Sequence, residues 1–310
     1  MQAMKIVVYS EGGNPAAWLA AIAQHIPNAQ AWAWAPGAPQ ADYALVWRPP
    51  QQLLDEQGAG LKALFNMGAG VDGLLQLQLP ANVPVVRLED AGMAVQMAEY
   101  VCHAVIDHFR GLGQYRAQQL AGEWKLAPLR MRSDFPVGIM GLGVLGDRVA
   151  KAVAQFGFPV LGWSRSAKQI DGVQTFHGAE QFAYFLAGTR ILVNLLPLTP
   201  ETENIIDSQL LAQLQRGAYV INVARGGHLV EADLLAAIDS GQVAGAMLDV
   251  FRSEPLPKDH PFWRCPQISI TPHGSARTLP EETLQQILRK LQAFAAGGQV
   301  TGVVYADRGY

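Results

Sequence analysis

Three polar residues follow runs of apolar, partly β-branched residues in the second half of the chain. Arg225 follows YVINVA, Glu254 follows AMLDVFRS, and His273 follows SITP. If these runs are parallel strands, the three side chains lie at one edge of one sheet, where open α/β sheets bind ligands. An arginine, a carboxylate and a histidine at such an edge form a candidate catalytic group.

The chemistry that suits this group is reduction of a 2-oxo acid. Arg225 can pair with the carboxylate of the acid and polarise its ketone oxygen. A protonated His273 can donate a proton to that oxygen while a hydride reaches the neighbouring carbon. Glu254 would keep the imidazole protonated and fix its orientation. This reaction needs no metal, and no cluster of His, Cys and carboxylates in the sequence has metal-ligand spacing.

A glycine-rich turn predicts the source of the hydride. Residues 141–146 read GLGVLG, a G-x-G-x-x-G pattern that follows a β-branched strand and opens a helical segment. In that context the glycines allow a tight turn, close approach of a pyrophosphate, and close helix–strand packing. The helix N-terminus offers N–H groups to the phosphates. The predicted contacts are Gly141, Gly143, Val144, Leu145 and Gly146.

The end of the next strand indicates which dinucleotide binds. An NAD site usually has Asp or Glu there to accept from the ribose 2′-hydroxyl. This sequence instead has Ser164, Arg165 and Ser166, with Lys168 just after. Arg165 can pair with a 2′-phosphate, and the two hydroxyls can donate to it. We therefore expect NADP(H), with NAD(H) as the weaker alternative.

Strand-like and helix-like stretches alternate along the whole chain, which predicts βαβ units and mainly parallel sheets. A helix start is expected at Asn14–Pro15, and a long helix over 93–119 that breaks near Gly111 and Gly113. Further helices are expected over 144–156, 231–240 and 280–296. The predicted strands are 5–10, 43–47, 61–66, 83–88, 136–141, 159–164, 190–197, 217–224, 245–251 and 267–272.

Composition restricts the class of protein. The chain has 310 residues, half of them apolar and 16% charged, which favours two globular domains. A net charge of −3 without a basic run argues against nucleic acid as a partner. No apolar stretch predicts a membrane span, and no signal peptide is evident. Two cysteines, Cys102 and Cys265, suit a reduced, cytoplasmic protein.

The sequence resembles the D-isomer-specific 2-hydroxyacid dehydrogenase family over nearly its whole length. Residues 194–257, followed by ITPH, are typical of the family, and Phe65–Asp72 is similar to its G-A-G-x-D substrate loop. VWRPP (46–50), RLEDAGM (87–93) and the terminal DRGY resemble a branch that reduces glyoxylate and hydroxypyruvate, usually with NADPH.

The resemblance implies a doubly wound Rossmann domain that binds NAD(P) over 93–275. It also implies a smaller flavodoxin-like α/β domain for the substrate, built from 1–92 and 276–310. The active site is expected between the two domains, and the protein is expected to be a homodimer that associates through the nucleotide domain and the long helix. Arg225, Glu254 and His273 match the catalytic residues of the family.

Further residue roles follow from the same resemblance. Leu196, Pro197, Ala224 and Asp249 match positions that contact the cofactor. Trp47, Arg48, Ala69 and Gly70 match positions that contact the substrate. Ser275 departs from the small apolar residue common in relatives, so we expect it to contact the substrate or the nicotinamide and to affect fine specificity.

The expected function is NADPH-dependent reduction of a small 2-oxo acid, glyoxylate to glycolate or hydroxypyruvate to D-glycerate. A bulkier 2-oxo acid such as phenylpyruvate is the nearest alternative. A non-catalytic, nucleotide-sensing binding protein is an alternative from a different class, because the family also contains corepressors with this fold.

Overall fold

The structure is a computed structural model that describes residues 3–304. The chain divides into two compact units. The first runs up to Gly92 and resumes at Thr278, and the second is Met93–Arg277. The sequence placed the second crossing after residue 275, two residues earlier. The DRGY motif lies outside the described residues.

The first unit begins with alternating strands and helices. Its elements up to the first crossing are β1 (Lys5–Ser10), α1 (Ala16–His25), β2 (Gln30–Ala33), β3 (Tyr43–Trp47), α2 (Gln51–Gln57), β4 (Ala63–Asn66), α3 (Asp72–Leu75) and β5 (Val85–Arg87).

The second unit continues the alternation. Its elements are α4 (Met93–Arg110), α5 (Leu112–Ala121), β6 (Val137–Met140), α6 (Val144–Gln155), β7 (Val160–Ser164), β8 (Gln174–His177), α7 (Phe182–Ala187), β9 (Ile191–Asn194), α8 (Ser208–Gln213), β10 (Ala218–Asn222), α9 (Glu231–Asp239), β11 (Val243–Leu248) and β12 (Ile268–Ile270). The chain then returns to the first unit as α10 (Pro280–Ala295) and β13 (Val303–Val304).

The sheet of the first unit has the order β2-β1-β3-β4-β5-β13 among the described residues. β1 to β5 are parallel and β13 joins antiparallel at the edge. The order 2-1-3-4-5 is the flavodoxin-like arrangement, as the resemblance implied. One face packs against α1 and α10, and the other buries residues of α2 and α3.

The sheet of the second unit has the order β8-β7-β6-β9-β10-β11-β12, and all its pairs are parallel. The chain starts in the middle at β6, runs outward to β8, and returns to β9 beside β6. This is the doubly wound Rossmann topology, with its switch point between β6 and β9. Apolar residues of α4 and α6 fill one face, and those of α7, α8 and α9 fill the other.

The sequence located most of these strands, but its list lacks β2 and β13 in the first unit as well as β8 in the second. The prediction of six strands in the second unit was wrong, because β8 makes a seventh strand within the described residues. β8 is a short, half-exposed edge strand, so it lacks a buried apolar run. The first helix begins at Ala16 instead of Pro15, although the Asn14 side chain does accept from the Ala16 N–H at 2.9 Å.

The long helix is interrupted at Gly111, as its sequence predicted, and forms α4 and α5. Gly111 has a φ of +64° between α4 and α5, a left-handed conformation that glycine adopts without steric cost. The apolar face of α4, including Met97, Val101 and Val105, is covered by the core of its own unit. A run of exposed large apolar side chains comes later, between residues 120 and 131. No helix among residues 3–304 is long and apolar enough to cross a membrane.

His108 is a titratable group inside the packing of α4. Its ring stacks on Tyr219 with the centroids 4.1 Å apart, and it meets Phe135 edge-on. Burial, assisted by the charges of Arg130 and Arg190, lowers the pKa of His108 to about 4. The folded protein therefore holds this imidazole neutral at neutral pH.

We predict that His108 weakens the fold in mild acid. In the unfolded chain His108 becomes protonated below about pH 6.5, whereas in the folded chain it becomes protonated only below about pH 4. Stability is therefore lost as the pH falls through this window. His108→Phe keeps a stacked ring that cannot titrate. Between pH 6.5 and pH 4 the free energy of unfolding should therefore fall less in His108→Phe than in wild type, and the difference should reach up to about 3 kcal/mol.

Urea unfolding at a series of pH values tests this prediction. His25→Phe, at an exposed position, is the control and should follow the wild-type curve. A His108→Phe variant with the same acid loss as wild type would contradict the argument.

Candidate active site

His273 and Glu254 form a close pair after β12 and β11. His273 Nδ1 lies 2.7 Å from Glu254 Oε2, and Glu254 Oε1 accepts from the Phe251 N–H at 3.0 Å. The carboxylate thus fixes a proton on Nδ1 and leaves Nε2 as the nitrogen that can exchange a proton. Both side chains are partly exposed, at 47% and 35%. A solvent-accessible His–Glu pair of this kind is suited to general acid–base catalysis.

The backbone of Arg225 is held by a buried asparagine pair at the ends of β9 and β10. Asn194 Nδ2 donates to Asn222 Oδ1 at 3.0 Å, and Asn222 Nδ2 donates to the Arg225 carbonyl at 3.1 Å. Asn222 Oδ1 also accepts from the Ala224 N–H at 3.3 Å, and Asn194 Oδ1 accepts from the Leu196 N–H at 3.2 Å. The pair therefore fixes both loops in which the sequence placed cofactor contacts.

Asp249 is fully buried and fixes the loop that carries His273 through hydrogen bonds. Its Oδ1 accepts from the Thr271 hydroxyl at 2.5 Å and from the Gly274 N–H at 2.8 Å, and its Oδ2 accepts from the Ser275 N–H at 2.9 Å. A carboxylate can accept about four hydrogen bonds, so one position remains for a further donor. The expected contact of Asp249 with the cofactor is compatible with this arrangement.

The glycine-rich turn has the geometry that a dinucleotide phosphate requires. Gly141 has a φ of +99°, and a Cβ on Gly146 would lie 1.8 Å from the Gly141 carbonyl oxygen. A Cβ on Gly143 would meet nothing within 4 Å, so the backbone is open there. No side chain caps the N-terminus of α6 at Gly143. The open turn and the uncapped helix end fit a pyrophosphate.

The end of β7 presents a mixed picture for the predicted phosphate contacts. Arg165, Ser166 and Lys168 are exposed. Ser164 is buried, and its hydroxyl donates to the Ser166 carbonyl at 2.8 Å. The expected donation from Ser164 to a phosphate is therefore not available in this arrangement, because its one proton is already used.

In the first unit, the loop after β4 turns its carbonyl groups inward. The amide of Asn66, which is buried, donates to the carbonyls of Gly68 and Gly70 at 2.8 and 2.9 Å. Arg87 donates to the Ala69 carbonyl at 3.3 Å. Among residues 3–304, the N–H groups of Ala69 and Gly70 have no hydrogen-bond acceptor. Two adjacent N–H donors of this kind can bind a carboxylate.

Trp47 packs directly on the same loop. A Cβ on Gly68 would lie 2.0 Å from Cζ3 of the indole, so the contact requires glycine. The Arg48 guanidinium lies 5.5 Å from the centre of the Trp47 ring and 3.7 Å from the Glu11 carboxylate. Trp47, which the resemblance assigned to the substrate pocket, is thus in contact both with Arg48 and with the loop.

Sequence reasoning missed several residues that organise the site. His228 is fully buried, and its ring nitrogens lie 3.1 and 3.2 Å from the carbonyls of Arg225 and Pro197. Arg252 donates to the carbonyls of Leu229 and Gly227 at 3.0 and 3.1 Å. These side chains connect the loops after β9, β10 and β11. Their partners are main-chain carbonyls, which every residue has, so no sequence pattern marks the contacts.

The chain is similar to known proteins over nearly its whole length. Residues 102–275 match the model of the D-isomer specific 2-hydroxyacid dehydrogenase NAD binding domain. Proteins named glyoxylate/hydroxypyruvate reductase A are similar over 314 residues, which is 99% of this chain and 100% of theirs. The one from Serratia proteamaculans is 51% identical and the one from Yersinia enterocolitica is 47% identical.

Two solved structures with the same fold hold a nucleotide. A D-isomer specific 2-hydroxyacid dehydrogenase from Xanthobacter autotrophicus Py2, in complex with NADPH and MES, superposes with a TM-score of 0.93 at 38% identity. An NADPH-dependent glyoxylate/hydroxypyruvate reductase from Sinorhizobium meliloti, in complex with NADP and sulfate, superposes with a TM-score of 0.89 at 36% identity. Each match covers 99% of this chain and 100% of the other.

We predict that Asn66→Asp weakens binding of a carboxylate ligand at the loop after β4. An aspartate has the same shape but cannot donate, so the carbonyls of Gly68 and Gly70 lose their donors and face a negative charge. We expect KM for a 2-oxo acid to rise by roughly tenfold or more, with the Kd for NADPH unchanged.

Steady-state kinetics and NADPH fluorescence titration measure the two quantities. Asn82→Asp, at an exposed loop position, is the matched control and should leave both unchanged. An unaltered KM in Asn66→Asp would show that the loop carbonyls do not need this anchor.

Proposed function

The chain belongs to the D-isomer-specific 2-hydroxyacid dehydrogenase family, and we propose that it reduces glyoxylate to glycolate and hydroxypyruvate to D-glycerate with NADPH. The observation that carries the reaction is the 2.7 Å pair between His273 and Glu254, which equips the sheet edge for proton transfer. The substrate choice is supported by the names of the relatives that match nearly the whole chain.

NADP(H) is the cofactor, with NAD(H) as the weaker alternative. The turn from Gly141 to Gly146 would hold the pyrophosphate, and Arg165 with Lys168 would pair with the 2′-phosphate. Leu196, Pro197 and Ala224 would line the nucleotide along the loops that Asn194 and Asn222 fix. Bound NADPH supplies the hydride that reaches the ketone carbon.

The proton comes from the protein. His273 donates from Nε2 to the ketone oxygen, while Glu254 stabilises the ring through Nδ1. Arg225 pairs with the substrate carboxylate and polarises the ketone. In the reverse direction, neutral His273 accepts the proton from the 2-hydroxy acid.

The first unit recognises the substrate in this proposal. The N–H groups of Ala69 and Gly70 bind the substrate carboxylate, and Trp47 and Arg48 limit the size of the acid. Ser275 is bonded to Asp249 through its N–H, which leaves its hydroxyl for the substrate or the nicotinamide. The second unit recognises the cofactor.

Loss of NADPH absorbance tests the proposal. We expect turnover of glyoxylate and hydroxypyruvate with NADPH, and little with phenylpyruvate or with NADH. His273→Ala should lower kcat by on the order of 10²–10⁴-fold, because the general acid is lost. His103→Ala, on the exposed side of α4, is the matched control and should keep wild-type turnover.

Other outcomes would change the proposal in distinct ways. A preference for NADH would overturn the cofactor assignment and leave the reaction standing. Activity on phenylpyruvate alone would overturn the small-substrate assignment. NADPH binding without turnover of any of these acids would favour a nucleotide-sensing role over catalysis.

We further propose that the protein is a homodimer that works in the cytoplasm and associates through the end of α5 and the segment that follows it. Five large apolar side chains between residues 120 and 131 are more than 60% exposed, namely Leu120, Trp124, Leu126, Leu129 and Met131. Such a run of exposed apolar residues is typical of a surface that another chain covers. A second copy with two-fold symmetry buries both segments at once. Free thiols at Cys102 and Cys265 suit the reducing cytoplasm.

We predict that charges in this segment abolish the dimer. Trp124→Asp combined with Leu129→Asp places two carboxylates in an apolar contact, so light scattering should give the mass of one chain where wild type gives two. Tyr184→Asp changes another exposed aromatic residue, on α7, and should stay dimeric. A double variant that remains a dimer would place the interface elsewhere.

A further inference from the structure

Three side chains from distant parts of the second unit form a hydrogen-bonded chain behind the His273 loop. The Tyr100 hydroxyl, on α4, lies 2.6 Å from Thr271 Oγ1, and Thr271 Oγ1 lies 2.5 Å from Asp249 Oδ1. The carboxylate of Asp249 only accepts, so the Thr271 hydroxyl donates its one proton to it. Tyr100 must then be the donor to Thr271.

Tyr100 is suited to that role. It packs partly buried against the core between α4 and the sheet, and burial raises the pKa of its hydroxyl to about 12. The phenol therefore keeps its proton at neutral pH. Hydrogen bonds in a chain with one direction reinforce each other, so the bond from Tyr100 strengthens the bond from Thr271 to Asp249.

The chain ends at the residue that holds the backbone of His273. The His273 N–H donates to the Asp249 carbonyl at 2.8 Å, and the Gly274 and Ser275 N–H groups donate to the Asp249 carboxylate. His273 itself has a φ of +53°, a left-handed conformation that residues other than glycine seldom adopt. Such a conformation persists only where the surroundings fix it.

α4 holds the same loop at a second point. Gln96 Nε2 donates to the Arg277 carbonyl at 2.7 Å, and Gln96 Oε1 accepts from the Arg277 N–H at 3.3 Å. Gln96 and Tyr100 are four residues apart, so they share one face of the helix. That face contacts both ends of the segment 271–277, with His273 between them.

We propose that Tyr100 is a positioning residue for His273 and acts through Thr271 and Asp249. It fixes the left-handed backbone at His273, and so the place of the imidazole beside Glu254. Tyr100 touches neither substrate nor cofactor in this role. The inference rests on the proposed function only in that His273 is the proton donor.

A double-mutant cycle tests the serial connection. Tyr100→Phe removes the hydroxyl alone, and Thr271→Val removes the link. We expect kcat, counted per NADPH-binding site, to fall roughly three- to tenfold in Tyr100→Phe and further in Thr271→Val. The kcat of the double variant should equal that of Thr271→Val alone, because the bond from Tyr100 to Thr271 has no function once the bond from Thr271 to Asp249 is absent.

Two variants control for loss of packing. Thr271→Ser keeps the hydroxyl and should retain near wild-type kcat. Tyr219→Phe removes another buried tyrosine hydroxyl, which bonds to Ser269, and should not lower kcat. Independent, multiplying effects of Tyr100→Phe and Thr271→Val, or no effect of Tyr100→Phe, would overturn the proposal.

A second readout does not depend on turnover. The imidazole resonances of His273 in an NMR spectrum, assigned by their loss in His273→Ala, report its hydrogen bond to Glu254. They should shift in Tyr100→Phe and Thr271→Val, and stay in place in Thr271→Ser and Tyr219→Phe. If wild type reduces no 2-oxo acid, the proposed function fails while these shifts still decide the role of Tyr100.

Discussion

Parallel pairing of the strands is the constraint on which the rest of the second unit depends. Parallel strands cannot be joined by tight turns, so each is followed by a crossover, and every strand ends at the same edge of the sheet. All pairs in the seven-stranded sheet are parallel. Loops that are far apart in the chain therefore meet at one edge, and several of them carry candidate functional residues. The chemistry is assembled by topology instead of by local sequence.

That edge is stabilised by polar groups that the fold removes from water. Asn194, Asn222, His228 and Asp249 are fully buried, and each has hydrogen-bond partners at neighbouring strand ends. Burying a polar group costs free energy unless its hydrogen bonds are made. Displacement of one loop would therefore leave a buried polar group on the neighbouring loop without its hydrogen-bond partner. The cost makes the arrangement of the loops specific. The loops are consequently held as one polar layer above an apolar sheet.

Sequence reasoning succeeded where the signal is local. The turn at 141–146 and the residues after each buried strand could be found because their meaning depends on a few neighbours in the chain. It failed at β8, whose half-exposed edge position gives no apolar run. It also missed the bond between Tyr100 and Thr271, which joins residues 171 positions apart. Asn66 was overlooked because its partners are main-chain carbonyls, which every residue has.

The contact between Trp47 and Gly68 constrains how the residues at these two positions can change. A side chain at 68 needs the volume that the indole occupies, since its Cβ alone would lie 2.0 Å from the ring. A substitution at position 68 therefore depends on which residue is already present at position 47. A lineage that reaches a larger residue at 68 must first pass through a smaller one at 47, so the order of the two steps is imposed by packing. Descendants of this sequence would carry that history as a correlated pair of residues.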